Sequence, residues 1–386
     1  MKLKILIIFV ASLFAQNIFS QKAKSIVKSN SNIVDIIVDG ELFEKAWTID
    51  PDEELDILEI NAKNVKFITD IDSISIDINF DAEPFNFIFL LNGKDSAKTQ
   101  VKYEPSRLEI LKHAEEYNYS DNRYVPKFTY QSEDNPDLKK VRQELKLDSI
   151  AGQGSELLKI FNLMYWVHDN ILHDGTIGNP NSPKNAIDLI NVCKTENRGL
   201  NCRMLSTILN ECYLAMGIKS RIITCMPKEY PFQECHVINM VFSKELNKWI
   251  WIDPTNCAYI MDEKGNLLGI QEVRERLIKD QPLILNADAN WNRKVRKNKE
   301  EYLDGYMSKN LYRMACPLTS EYNMETWDRQ KEIVYLELLP LDGLEQLPQK
   351  NEETYQNGEI KYVNYKTNNP DLFWTLPDEE DSDTGI

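Results

Sequence analysis

The chain has 386 residues, of which 42% are hydrophobic, so it is too apolar for a disordered protein and too long for one small core. We therefore predict two domains and a tail. With 61 carboxylates against 45 basic side chains, the net charge is −16, and such a field repels a nucleic-acid backbone. No nucleic acid is expected as a partner.

The first twenty residues have the layout of a secretory signal peptide. Lys2 and Lys4 precede the apolar run ILIIFVASLF, and small or polar residues follow it, which predicts cleavage after Ser20. The run is about half of the ~20 residues that a membrane-spanning helix needs, so a membrane anchor is the weaker interpretation. We expect an exported protein, periplasmic or extracellular, that does not span a membrane.

Residues 21–104 predict a small β-rich module. Apolar and polar residues alternate from Ile74 to Phe80 and again from Phe85 to Leu91. The segment NGKD then predicts a reversal of the chain. We expect antiparallel strands with one buried face.

Residues 105–345 predict a larger domain with a helical N-terminal part and a C-terminal extension. Ser155 can cap a helix whose apolar stripe is Leu157, Leu158, Phe161, Met164 and Val167. NAIDLINVC predicts a short helix, and a longer one ends at Gly217. Strand spacing follows in SRIITCM, HVINMVF and KWIWID, the last two joined as a hairpin. Residues 346–386 have the composition of a solvated acidic tail.

The longer helix opens with a cysteine, Cys202. A first helical turn offers unpaired N–H groups and the positive end of the helix dipole, and both favour thiolate over thiol. Asn201 can cap this helix, and Gly199 lets the preceding chain turn tightly. Taken alone, the segment fits a buried and inert cysteine better than a nucleophile.

The hairpin supplies what a thiolate nucleophile needs, which is a base and a partner that orients the base. His236 begins one strand and Asp253 ends the next. Because antiparallel pairing runs the start of one strand beside the end of its neighbour, the two side chains can meet. Taken alone, His236 fits a structural histidine better.

The segments GLNCRMLSTILNECYLAMGIKSR, HVINMVF and KWIWIDPT together resemble the core of the transglutaminase-like superfamily, whose fold is shared with papain-type cysteine proteases. The resemblance covers residues from about 150 to 260, and the whole chain resembles exported transglutaminase-domain proteins of the Bacteroidetes type. The matching positions are Gly199, Cys202, Gly217, Ile218, Arg221, His236, Asn239, Asp253, Pro254 and Thr255.

The resemblance implies an α+β fold, with helices packed on an antiparallel sheet, and an enzyme that acts on peptide or amide bonds. In it, Cys202 attacks the carbonyl, His236 carries the proton and Asp253 orients His236, through a thioester intermediate. The resemblance favours hydrolysis, as a protease or amidase, over transfer to an amine.

An oxyanion in this reaction needs donors, and the backbone N–H of Cys202 is the natural first one. The resemblance implies a second donor from an upstream side chain, for which the indole of Trp166 is the candidate. A tryptophan on an apolar helix also fits plain core packing.

Two alternatives to this enzyme stay open. The fold can serve as a non-catalytic binding or scaffold module of the cell envelope, or the β-rich module can recognise a partner that the larger domain trims. The expected partner is a peptide or protein substrate, and the oligomeric state is left open.

The other cysteines and histidines predict no metal site and no cofactor. Seven cysteines leave at least one free, and six can pair as disulfides in an exported protein. No C-x-x-C spacing of a zinc site occurs. His168 and His173 lie five apart, off a common helical face, so we interpret them as surface or loop histidines.

Overall fold

A computed structural model describes residues 25–43, 47–232, 234–326, 331–342, 346–354 and 360–378. The chain divides into two units, Met1–Pro105 and Ser106–Ile386, so the division lies one residue beyond the predicted module boundary. The predicted signal peptide, residues 1–20, lies outside the described residues. Within those residues, none of the helices combines the length and the apolar content that a membrane crossing requires.

The first unit consists of β-strands arranged in two sheets around a shared core. The strands are β1 Ile26–Ser29, β2 Ile33–Val38, β3 Glu41–Leu42, β4 Trp47–Thr48, β5 Asp56–Ile60, β6 Asn64–Ile68, β7 Ser73–Asp77, β8 Phe85–Leu91 and β9 Asp95–Tyr103. One sheet has the order β1-β8-β9-β5 and the other β3-β2-β6-β7, with β4 paired to β2. Apolar residues of both sheets meet in one cluster.

The predicted alternation is present in β7 and β8, where Ile74, Ile76, Phe87 and Phe89 are buried. The antiparallel expectation is wrong for two pairs, because β1 pairs with β8 and β5 with β9 in parallel. These pairs join strands far apart in the sequence, and the alternation within a strand carries no information on its neighbour's direction.

The second unit is framed by a large mixed sheet. Its strands are β11 Ser220–Met226, β12 His236–Ser243, β13 Lys248–Ile252, β18 Arg313–Pro317, β20 Ile333–Leu338, β21 Lys350–Thr354 and β22 Ile360–Thr367. Their order is β13-β12-β11-β18-β20-β22-β21, antiparallel except for β20 with β22. Strands β11, β12 and β13 coincide with the three predicted strand segments.

Short strand pairs complete the second unit. They are β10 Thr129–Tyr130 with β19 Thr319–Ser320, β14 Ile260–Met261 with β15 Ile284–Leu285, and β16 Asn290–Trp291 with β17 Val295–Arg296. The last pair is a hairpin that turns at Asn292 and Arg293, both with positive φ.

Helices cover both faces of the sheet. They are α1 Arg107–Lys112, α2 Pro136–Glu144, α3 Leu147–Ala151, α4 Glu156–Asn170, α5 Ala186–Glu196, α6 Cys202–Ala215, α7 Ile270–Ile278, α8 Ser308–Asn310, α9 Pro370–Phe373 and a π-helix, Glu300–Met307. Helices α2 to α6 form one core with Val241 and Ile250, and α1, α7 and the π-helix form another with Trp249 and Trp251. The alternation of these strand residues places the two cores on opposite faces.

Helix α4 is the predicted helix, but its buried face differs from the predicted stripe. Ser155 caps it by accepting a hydrogen bond from Leu158 N–H, as expected. The Leu158 side chain is 55% exposed, whereas Ile160, Leu163, Met164 and Val167 are buried. Leu157 and Phe161 are partly buried against the same core, so Leu158 is the member of the predicted stripe that faces solvent.

The predicted acidic tail is wrong for residues 346–378, which contribute β21, β22 and α9. Buried Arg221 donates hydrogen bonds to the carbonyls of Phe373 at 2.9 Å and Thr375 at 2.8 Å. Its guanidinium also stacks on Phe128 and Trp249. These partners lie far from the tail in sequence, so local composition could not reveal them. Residues 379–386 lie outside the described residues.

All seven cysteines carry free thiols, and none of the disulfides that the sequence allowed is formed. Cys212, Cys225, Cys257 and Cys316 are buried on separate elements, where each packs as a small apolar side chain. Cys193, Cys202 and Cys235 are partly exposed.

Candidate active site

Cys202 is the first residue of α6, and the chain before it is held on both sides. The Asn201 side chain accepts a hydrogen bond from Met204 N–H at 3.1 Å. Leu200 pairs in parallel with His173, and a Cβ on Gly199 would lie 2.8 Å from the Leu172 carbonyl oxygen. Glycine is therefore required here by close backbone approach rather than by the predicted tight turn.

Two buried side chains fix α6 against β12. The Ser206 hydroxyl donates to the Val237 carbonyl at 3.0 Å, and the Asn239 amide donates to the Ser206 carbonyl at 3.0 Å. Because Val237 follows His236 and Ser206 lies one turn after Cys202, these bonds bring the cysteine and the histidine to the same place.

His236 and Asp253 meet as their positions on neighbouring strands predict, with 2.8 Å between Nε2 and Oδ2. Both side chains are buried. The Asp253 carboxylate also accepts hydrogen bonds from the Tyr302 hydroxyl at 2.7 Å, the Asn256 amide at 2.9 Å, and the backbone N–H groups of Thr255 at 2.8 Å and Asn256 at 3.2 Å. This network leaves the carboxylate ionised and fixed in orientation.

The Cys202 thiol is acidified by its surroundings. Burial raises its pKa, but hydrogen bonds with the rings of His173 and His236 and with Val237 N–H outweigh burial and lower the pKa to about 6. Since Asp253 occupies Nε2 of His236, the ring nitrogen left for Cys202 is Nδ1. The sulfur is therefore a thiolate at neutral pH.

His236, which is hydrogen-bonded to Asp253, is held in its protonated form. Burial lowers the pKa of His236, but the charge and hydrogen bond of Asp253 and the contact with Cys202 raise it to about 10. Burial raises the pKa of Asp253, and the His236 charge together with the hydrogen bonds lowers it to about 2. Cys202 and His236 thus form a thiolate and imidazolium pair at neutral pH.

The π-helix brings two tyrosines to this pair. Tyr302 donates to Asp253, and the Tyr306 ring packs edge-on against the His236 ring, with 5.3 Å between centroids. Tyr306 and Arg107 also line an open surface depression of about 490 Å³. The sequence offered no strong pattern here, and short π-helices frequently occur at functional sites.

Comparison with known proteins gives a family for the part of the chain that contains this site. Residues 143–254 match the model of the transglutaminase-like superfamily. The chain contains a transglutaminase-like domain. The match includes Cys202, His236 and Asp253, whereas the π-helix and the β16–β17 hairpin lie beyond it.

A solved structure is also similar to part of the chain. A crystal structure described as that of a candidate cysteine protease from Cytophaga hutchinsonii is 17% identical, with a TM-score of 0.25. The alignment covers 33% of this chain and 40% of that chain, so this chain spans less than half the length of that protein. No curated protein matches the chain.

His168 and His173, interpreted from the sequence as surface or loop residues, both make contacts at or beside the candidate site. His168 is buried on α4 and hydrogen-bonds the Pro254 carbonyl at 3.0 Å, which supports the loop after Asp253. His173 contacts the Cys202 side chain. The five-residue spacing showed only that the two side chains do not share one face of a helix. His173 lies beyond the end of α4, so the spacing could predict neither contact.

Trp166 packs, half-buried, against the core of helices α2 to α6. Cys202 instead packs beside Ile222 and Val237 in another apolar cluster. The structure therefore supports the core interpretation of Trp166 that the sequence left open, and its role as an oxyanion donor stays a prediction.

No group of three or more histidine, cysteine or carboxylate side chains in the described part of the chain could hold a metal ion.

Proposed function

We propose that this protein is an exported cysteine hydrolase that cleaves peptide or amide bonds through Cys202, His236 and Asp253. The observation that carries the proposal is the contact of an acidified thiol at the start of α6 with an imidazole that is hydrogen-bonded to a buried carboxylate. Buried inert cysteines have raised pKa values, as Cys212 and Cys316 do here. Cys202 departs from them in the direction that nucleophilic catalysis needs.

The reaction begins when the Cys202 thiolate attacks the carbonyl carbon, forming the C–S bond while the carbonyl π pair moves to oxygen. As the C=O bond re-forms and the C–N bond breaks, the Nδ1 proton of His236 passes to the departing amine. His236, now neutral, takes a proton from water, and the resulting hydroxide attacks the thioester. Loss of the C–S bond releases the acid and restores the thiolate and imidazolium pair.

The geometry supports proposed roles for neighbouring groups. Asp253 holds the His236 ring and stabilises its positive charge, as an orienting carboxylate does. The Cys202 N–H belongs to the first turn of α6, where backbone donors have no partner within the helix, so it is free to bind the oxyanion.

Export rests on residues 1–20 alone, where two lysines, an apolar run and small residues precede the cleavage point after Ser20. N-terminal sequencing of the protein from a secretion-competent host tests it. A new N-terminus at Gln21 is expected, and an intact Met1 in the mature protein would contradict export.

The test of the function is hydrolysis of fluorescein-labelled casein and of a peptide library, with a dansylated alkylamine present to detect acyl transfer. We expect peptide cleavage without amine incorporation, and a loss of at least ~10³-fold in Cys202→Ala. Cys193→Ala changes a half-buried thiol outside the site and serves as the matched control.

Circular dichroism and the thermal unfolding midpoint of each variant show whether it is folded. A folded Cys202→Ala protein as active as the wild type would contradict the mechanism. Amine incorporation that depends on Cys202 would favour acyl transfer over hydrolysis. The absence of cleavage and of amine incorporation in the wild type would favour the scaffold alternative.

A further inference from the structure

The His173 ring forms a hydrogen bond with the Cys202 side chain, and its other ring nitrogen is held by Trp291. We propose that the Nε2–H of His173 is the second oxyanion donor, opposite the backbone N–H of Cys202. This inference rests on the proposed function and adds a catalytic residue to it.

The backbone of His173 is fixed beside the nucleophile. It forms a parallel bridge with Leu200, two residues before Cys202, and Asp174 N–H donates to the Leu200 carbonyl at 2.8 Å. The Asn292 side chain accepts from His173 N–H at 2.7 Å and donates to its carbonyl at 2.9 Å. A catalytic side chain must be preorganised in this way, because reorganisation during the reaction costs rate.

The ring of His173 is held in one tautomer. The indole N–H of Trp291 lies 3.0 Å from His173 Nδ1, and an indole nitrogen can only donate. Nδ1 is therefore the unprotonated acceptor, and the proton of the neutral ring is on Nε2. Nε2–H is the group left to face the Cys202 sulfur.

This arrangement excludes His173 as the general base. To take a proton from Cys202 or from water, the ring needs an unprotonated nitrogen, and the only one accepts the hydrogen bond of Trp291. His236, paired with Asp253, is free of this restriction at Nδ1. His236 therefore transfers the proton, and His173 donates a fixed hydrogen bond.

The position of the donor matches where negative charge develops. When the sulfur bonds to the carbonyl carbon, the charge leaves the sulfur and appears on an oxygen attached to that carbon. A donor already in contact with the thiolate lies within reach of that oxygen and can follow the charge without rearrangement. Trp166, the candidate donor from the sequence, packs half-buried against the helical core.

One hairpin outside the family match holds both sides of the site. Trp291 at the end of β16 and Asn292 in the turn fix His173, and Asn290 N–H donates to the Asn256 carbonyl at 2.8 Å. Asn256 is the residue whose amide clamps Asp253. The β16–β17 hairpin therefore ties the oxyanion donor to the loop that orients the base.

The test compares two reactions of Cys202 in the full-length protein. Acylation by p-nitrophenyl acetate passes through an oxyanion, and the burst of p-nitrophenolate reports it. Alkylation by iodoacetamide displaces iodide and forms no oxyanion. Each rate is measured against pH and divided by the thiolate fraction, so a simple change in the thiol pKa cancels.

We expect His173→Ala to lower the corrected acylation rate by ~10²-fold or more, while the corrected alkylation rate changes less than about threefold. Trp291→Phe keeps an aromatic ring but loses the indole donor, so a loss of roughly tenfold in acylation is expected. His173→Gln restores part of the rate by offering an amide N–H. The control is His113→Gln, a surface histidine on the first turn after α1.

Equal corrected losses in both reactions, or no loss in either, would overturn the proposal, since His173 would then act only on the thiolate or not at all. If His173→Ala does not fold, Trp291→Phe decides the question by the same comparison. A wild-type protein that neither acylates nor alkylates at Cys202 would instead contradict the proposed function, on which this inference depends.

Discussion

At the scale of single residues, the Asp253 carboxylate holds His236 in place. It is itself held, because it accepts hydrogen bonds from other groups besides His236. Asn256 and Tyr302 both donate to the oxygen that also binds His236. Each donor stabilises the ionised form of the buried carboxylate and restricts the rotation of its side chain.

We predict that Tyr302→Phe lowers the rate of peptide hydrolysis by about 10- to 100-fold, since a hydrogen bond to a charged group is worth about 1.5–3 kcal/mol. The Tyr302 hydroxyl acts on Asp253, so KM should stay within about twofold. The pKa of Asp253 should rise from about 2, because the Tyr302 hydroxyl is one of the groups that lower it. Steady-state kinetics of the purified variant measure the rate and KM.

Tyr312→Phe is the control for this substitution. Tyr312 is as deeply buried as Tyr302, and its hydroxyl has no hydrogen-bond partner among the described residues. Its loss should therefore leave activity unchanged. Equal activity of the two variants would mean that the Tyr302 hydrogen bond does not position Asp253.

The sequence could bring together only part of this residue set. His236 and Asp253 were expected to meet because they flank one hairpin, and antiparallel pairing is a local rule. Tyr302 and His173 reach the site from separate elements, so no spacing along the chain reports their contacts. Asn256 follows Asp253 by three residues, and its position became meaningful only when the loop conformation was known.

At the scale of elements, the close contact between the segment around Gly199 and the segment Leu172–Asp174 sets the position of Cys202. Leu200 N–H donates to the Leu172 carbonyl at 2.9 Å. The short parallel pairing therefore aligns the end of α4 with the start of α6.

We predict that Gly199→Ala destabilises the second unit by about 1–3 kcal/mol, the usual cost of overpacking a close contact. The new methyl would meet backbone atoms of Leu172 at 2.8 Å, and the backbone cannot yield as a flexible side chain can. The displaced segment should also slow alkylation of Cys202. Urea unfolding followed by tryptophan fluorescence, with alkylation rates in parallel, measures both effects.

Gly178→Ala is the matched control, since a Cβ at Gly178 would have no neighbour within 4 Å. A Gly199→Ala protein with the stability and alkylation rate of this control would show that the close approach is unimportant.

The elements that were predicted best have the clearest periods. Strands β11 to β13 and helices α5 and α6 followed from alternation, helical spacing and the cap at Asn201. Strands β20 to β22 and the π-helix did not, because their burial depends on neighbours distant in the chain. The buried side of β22 packs beside β20 in parallel, and no short-range pattern predicts that pairing.

At the scale of the whole molecule, the two units have separate cores, and the described residues of the candidate site all lie in Ser106–Ile386. The length and composition predicted two domains, and the described structure divides into two units. The packing of the C-terminal segment onto the second unit could not be predicted in the same way. It depends on hydrogen bonds from Arg221 to Phe373 and Thr375, which lie about 150 residues later in the sequence.

We propose that Cys202 is an activated thiolate paired with His236. The most direct test is the rate of Cys202 alkylation by iodoacetamide in the full-length protein against pH, with mass spectrometry to identify the labelled residue and His236→Ala as the comparison. The pKa of the thiol is lowered from 9.0 to about 6, so thiolate forms as the pH rises through that value, and labelling should have its midpoint there.

In His236→Ala the midpoint should move upward by at least ~1 pH unit, because the charged and hydrogen-bonded partner is gone while burial remains. Hydrolysis in the wild type should rise through the same midpoint and fall again near pH 10, where His236 loses its proton. A wild-type labelling midpoint near pH 9, or the same midpoint in both proteins, would contradict the thiolate and imidazolium pair.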